Sequence, residues 1–148
     1  MDRKGNKMQQ RVSLITLGVA DLDRAAAFYE SLGWKREESP PGIVAFDLIG
    51  QTLGLFPLAD LAADIGLPQA ALGTGAATLA HNLPDRDAVD ALTRRFAEAG
   101  GTILKQPQAV FWGGYHAYAR DPDGHIWEIA HNPAAPLGPD GAFRWSGY

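Results

Sequence analysis

One internal repeat constrains this chain more than any single motif. Ser13-Leu14-Ile15-Thr16-Leu17 is a short apolar run of β-forming residues, which reads as a strand. Asp21 then caps a helix from Leu22 to about Leu32, with Leu22, Ala25, Ala26, Tyr29 and Leu32 as its apolar stripe and Gly33 at its end. Trp34-Lys35-Arg36-Glu37 follows, then the apolar runs 43–49 and 52–56, joined by a tight turn at Gly50-Gln51. The same order recurs further on. Residues 76–81 form a strand, Asp85 caps a helix over 86–99 with Val89, Leu92, Phe96 and Ala99 as its stripe, and Gly100 ends it. Thr102-Ile103-Leu104 is a strand, and a hairpin closes the unit. Asp21 and Asp85 are separated by the same interval as Leu14 and Thr78. The chain is therefore a βαβββ unit used twice, an α+β fold. Neither unit can bury both its helix stripe and its sheet alone, so the two sheets are expected to curl into a cupped mixed sheet around a cleft.

The modules span about 12–57 and 76–132. Residues 1–11 read as a disordered polar arm, 57–75 as a connector with one helical turn near 58–63, and 133–148 as a C-terminal tail ending in the aromatic run Phe143-Arg144-Trp145-Ser146-Gly147-Tyr148. At 148 residues this is one domain of ordinary composition, 46% hydrophobic and 20% charged. The net charge of −4 argues against nucleic acid as a partner. The absence of cysteine excludes disulfides, thiolate metal sites and cysteine nucleophiles. No apolar run is long enough to span a membrane and no signal core is present, so a cytoplasmic location is expected.

The closing hairpin carries the candidate chemistry. Pro122 and Asp123 suit the central positions of a type I turn, and Gly124 supplies the left-handed residue of a three-residue loop. Counting back from that loop, Arg120 faces Ile126, Tyr118 faces Glu128 and His116 faces Ala130, all on one side. Ala117, Ala119, Trp127 and Ile129 occupy the other side, where a helix should lie. The cleft-facing residues of the other strands follow by the same parity: Leu14, Thr16, Thr52, Gly54 and Phe56 in the first module, Thr78 and Ala80 in the second. Glu128 and Tyr118 are expected to anchor a ligand's polar group, with His116 beside them. A structural Tyr118–Glu128 hydrogen bond, or a pairing of Glu128 with Arg120, is the plainer alternative. Trp112 and Tyr115, in a glycine-bearing loop just before the hairpin, together with Phe46 and Phe56, are expected to supply apolar walls. His81, His125 and His131 read as surface or capping residues.

Leu17-Gly18-Val19-Ala20-Asp21-Leu22, followed by Phe28-Tyr29 and Leu32-Gly33, resembles the opening module of the glyoxalase/bleomycin-resistance/dioxygenase group, the vicinal oxygen chelate superfamily. Asp121-Pro122-Asp123-Gly124 with Glu128 resembles its closing motif. The resemblance covers roughly residues 12–132. It implies paired βαβββ modules, often in a homodimer, with the cleft formed within one chain or between two. In the family's metalloenzymes it implies a divalent metal held by His, Gln or Glu, at positions that are here Leu14, Gly54, Thr78 and Glu128. Only Glu128 keeps a ligand type, short of the roughly three protein donors that tight binding needs. The resemblance therefore implies the metal-free branch, with no cofactor and a small organic ligand. The alternative is a divalent-metal lyase or dioxygenase using Glu128, His116 and water.

Overall fold

A computed structural model describes residues 7–148 of the protein. Part of the N-terminal arm read over 1–11 therefore lies outside the described residues. The first module contains β1 (Leu14–Val19), α1 (Leu22–Ser31), β2 (Val44–Asp47) and β3 (Thr52–Pro57). A helix α2 (Leu58–Ile65) and a short 3₁₀ turn (Gln69–Ala71) occupy the connector. The second module contains β4 (Thr78–Asn82), α3 (Arg86–Glu98), β5 (Thr102–Ala109), β6 (Tyr115–Arg120) and β7 (Ile126–His131). Both helix caps form as the sequence requires: Asp21 accepts from the Arg24 amide and Asp85 from the Ala88 amide.

The first sheet runs β1-β3-β2 and the second β4-β7-β6-β5. In each, the opening strand lies parallel to the last, with Leu14 opposite Thr52 and Thr78 opposite Ile126. The modules differ in one strand. Trp34-Lys35-Arg36-Glu37 forms no ladder: the Glu37 amide donates to the Ala45 carbonyl of β2 at 2.8 Å, while the Trp34 amide and the Arg36 guanidinium turn back to Tyr29 and Glu30 of α1. The Trp34 ring instead stacks on Tyr29 at 5.3 Å, and Pro40 and Pro41, which lack amide donors, follow.

The helix-bearing sides of both sheets share one core. Leu17, Val19, Val44, Phe46, Leu53 and Leu55 of the first sheet join Ala117, Ala119, Trp127 and Ile129 of the second, with Tyr29 and Val89 from the helices between them. Phe28 of α1 meets Phe96 of α3 edge to face at 5.4 Å, and Trp127 packs 5.9 Å from both Tyr29 and Trp34. Each large apolar side chain buried this way contributes about 1.5–3 kcal/mol. A core shared through the helices turns the helix-free side of each sheet outward, and Leu14 on that side of β1 stays 51% exposed. Helix α2 covers one end of the first sheet's outward face. There Gly18 lies so close that a Cβ would sit 2.7 Å from Leu58 Cδ1.

The tail folds back on itself. The Tyr148 amide donates to the Pro136 carbonyl at 3.0 Å, and Arg144 lies over the Tyr148 ring. Phe143, Trp145 and Tyr148 remain exposed.

Candidate functional site

The β6–β7 hairpin forms in the register that its turn chemistry dictates. The Asp121 amide donates to the His125 carbonyl at 2.9 Å, the Gly124 amide to the Asp121 carbonyl at 3.0 Å, and Gly124 sits at φ +92°. Tyr118 then faces Glu128 and His116 faces Ala130. Ala117, Ala119, Trp127 and Ile129 are buried on the helix side. His116, Tyr118 and Glu128 share the outward face by parity.

On that face Glu128 pairs with His116, not with Tyr118 or Arg120. His116 Nδ1–H donates to Glu128 Oε2 at 2.8 Å. His116 is the diagonal neighbour of Glu128, and diagonal neighbours on one sheet face lie within reach of aromatic side chains. The His116 ring meets Tyr118 at 5.0 Å and Trp112 at 6.0 Å, both edge to face. Trp112 reaches back because Gly114 has no side chain; a Cβ there would overlap the indole. Partial burial, and secondarily the Glu128 charge, push the Tyr118 phenol above its ordinary pKa, so it stays a hydrogen-bond donor at neutral pH.

Three wall residues of the sequence reading lie elsewhere. Tyr115 has the parity of Ala117 and points toward α3, where its hydroxyl donates to Asp90 Oδ1 at 2.7 Å beneath the Arg86 guanidinium. Phe46 is 1% exposed, packed between Tyr29 and Trp34 in the helix-side core. It has the parity of Leu53, so it faces away from the cleft. Phe56 pairs with Gly18 on the outward face of the other sheet, apart from the Glu128 group.

The turn itself fastens the two modules. Asp121 is buried and accepts from Tyr29 Oη at 2.6 Å and from the amides of Asp123 and His125, both at 2.9 Å. Trp127 Nε1–H donates to the same Tyr29 oxygen at 3.0 Å. Asp123 Oδ1 accepts from the Ala20 amide and Arg24, while His125 Nε2–H donates to the Gly18 carbonyl at 2.8 Å. His125 is thus a fastener rather than a surface residue, and nothing in its sequence spacing pointed to Gly18.

The sequence reading also missed Lys105. Strand β5 continues to Ala109, five residues beyond Leu104, where the sequence reading ended it. It sets Lys105 opposite Tyr118, so the outward face carries a row from Ala80 through Glu128 and Tyr118 to Lys105.

The donor set does not fit a metal. Leu14 and Gly54 carry no ligand atom in their side chains, and Leu14 Cδ1 lies 3.4 Å from where a Cβ of residue 54 would stand. Thr78 is a poor ligand, and Glu128 is engaged with His116. Among the described residues no group of three or more His, Cys, Asp or Glu is arranged to hold an ion. Glu128 lines neither the groove between α1 and the closing turn nor the one beside α3 and β5. The first, of about 710 Å3, lies between α1, the end of α3 and the turn, lined by Arg24, Phe28, Glu98, Thr102 and Arg120.

The sequence profile of the Glyoxalase/Bleomycin resistance protein/Dioxygenase superfamily matches residues 11–129. The chain belongs to that superfamily. Among solved structures it is similar to a glyoxalase-related enzyme from Fulvimarina pelagi, at 38% identity and TM-score 0.86, covering 93% of this chain and 99% of that one. It is also similar to a hypothetical protein from S. aureus, at 26% identity and TM-score 0.74, covering 85% of this chain and 96% of that one. A lactoylglutathione lyase from Agrobacterium tumefaciens is 26% identical with TM-score 0.65, covering 84% of this chain and 96% of that one. No curated protein matches the chain. Among the described residues no helix is long and apolar enough to cross a membrane.

Proposed function

We propose that this superfamily member binds a small organic ligand without a metal, on the outward face of the second sheet. Glu128 and Tyr118 hold the ligand's polar group, with His116 fixing the carboxylate and Trp112 supplying an apolar wall. The observation that carries the reading is the His116–Glu128 pair: the one carboxylate at the family's metal positions is already oriented by a histidine. Its remaining oxygen, Oε1, is left to meet a ligand donor. The metal-dependent lyase or dioxygenase reading loses its footing on ligand type at Leu14, Gly54 and Thr78.

The ligand site is completed by a second copy of the chain. The outward face leaves Glu128 partly exposed in one chain, and the first module offers a matching face with Leu14, Thr16 and Gly54, beyond the end that α2 covers. A homodimer pairing the first module of one chain with the second of its partner closes two equivalent clefts. The working location is the cytoplasm. The test is a fluorescence titration with benzylamine, an aromatic cation that Glu128 and the aromatic rings can hold together. Saturable quenching in the dimer, lost in Glu128→Gln, supports the reading; quenching indifferent to Glu128 overturns it.

A further inference from the structure

We propose that Lys105 is a specificity-determining residue of this site and that the ligand is amphoteric, with an anionic group as well as the donor that meets Glu128. The inference rests on the ligand-site reading above and extends it to the chemical class of the ligand.

Strand β5 does not run in simple register with β6. Ile103 pairs with Ala119, Lys105 with Tyr118 and Gln108 with His116, so the strand carries one extra residue on each side of Lys105. In an unbroken ladder Leu104 would oppose Tyr118, and the lysine would fall on the helix side. The first bulge sets Lys105 opposite Tyr118 instead, and such bulges re-aim a side chain beside a functional face. The second bulge accommodates Pro107, which cannot donate to a ladder. Lys105 makes no ion pair among the described residues.

Across the sheet the order is therefore carboxylate, phenol, ammonium, on three neighbouring strands. Strands lie about 4.8 Å apart, so the backbones carrying Glu128 and Lys105 are separated by roughly 10 Å. Both side chains lean and the lysine is long, so ligand charges roughly 5–10 Å apart fit between them. One aromatic ring spans that interval, and Tyr118 lies beneath it with Trp112 to one side. A cation meets Glu128, a carboxylate meets Lys105, and the flat body stacks between. Protection of an exposed sheet edge also uses lysine, proline and bulges, and β5 is an edge strand. Edge protection, however, needs only a charge on the edge, on either face.

The test compares three probes on the full-length protein by calorimetry: 4-(aminomethyl)benzoate, benzylamine and 4-methylbenzoate. The amphoteric probe is expected to bind about ten-fold more tightly than benzylamine, as a charge-assisted contact allows. Lys105→Gln removes that advantage over benzylamine, while Lys105→Arg retains it. Glu128→Gln weakens both amine probes. An unchanged ratio between the amphoteric probe and benzylamine in Lys105→Gln overturns the inference and leaves the lysine as an edge charge, with the ligand site intact. Binding of all three probes without regard to Glu128, or of none, overturns the ligand-site reading itself and the inference with it.

Discussion

His116 Nδ1 lies 2.8 Å from Glu128 Oε2, and the histidine is the more buried partner, its side chain 10% exposed against 23% for the glutamate. The burial order sets the roles. His116 is the support and Glu128 the group presented outward. Glu128→Gln keeps the shape and a hydrogen bond, so thermal stability is expected to change little while binding of cationic probes is lost. His116→Ala removes a buried ring and its bond, at a cost of about 1–3 kcal/mol in urea unfolding. It also weakens cation binding less than Glu128→Gln does. Equal losses of binding in the two variants would contradict the assignment.

Asp121 holds the inter-module fastening. Its carboxylate accepts from the Tyr29 hydroxyl and two turn amides in a buried setting. Asp121→Ala leaves these donors without an acceptor, and the expected loss is about 3 kcal/mol or more. Asp121→Asn retains part of the network and should lie between. Chemical denaturation of both variants gives the order.

Stability should fall at alkaline pH, and Tyr29 is one cause. Its pKa is raised well above the ordinary tyrosine value, by burial first and then by the negative Asp121 beside it. Above about pH 10 the unfolded chain releases this proton while the folded chain keeps it. The stability contributed by the neutral phenol is therefore complete below about pH 10 and is lost as pH climbs through the folded value. Tyr29→Phe is expected to be less stable at neutral pH and to show a shallower decline above pH 10, by up to about 1.4 kcal/mol per pH unit. Parallel declines in the two proteins would exclude this role.

Tyr115 and Tyr118 are three residues apart and serve opposite faces. Tyr115→Phe breaks the bond to Asp90 and should cost about 1 kcal/mol of stability with probe binding intact. Tyr118→Phe should leave stability nearly unchanged and weaken binding. Titration and melting of both variants check the pair.

The hairpin was legible because two independent signals agree there. Proline and glycine at fixed turn positions set the register, and period-two alternation set the faces, so Glu128, Tyr118 and His116 fell on one side. Tyr115 belongs to the same strand, and its parity already opposed its use as a cleft wall. Phe46 was less accessible to such reasoning, since Val44, Ala45 and Phe46 are apolar on both parities and only the aromatic core decides between them. Strand β5 was hidden by its own chemistry: Lys105-Gln106-Pro107-Gln108 reads as a loop, and bulges that absorb a proline leave no periodic trace. The first module's missing strand has the converse cause. A repeat predicts equal elements, but here Trp34 stacks on Tyr29 and the segment runs into Pro40 and Pro41, which have no amide to give a ladder. The contacts of Asp121, Asp123 and His125 with the first module are long-range, and no local pattern encodes them.

The central claim is that Glu128 serves an organic ligand and not a metal ion. Elemental analysis tests it most directly, on protein purified without chelator and then dialysed separately against nickel, zinc, manganese and iron. The expected result is metal well below one ion per chain, the same in wild type and Glu128→Ala. One ion per chain retained by the wild type and lost in Glu128→Ala would contradict it.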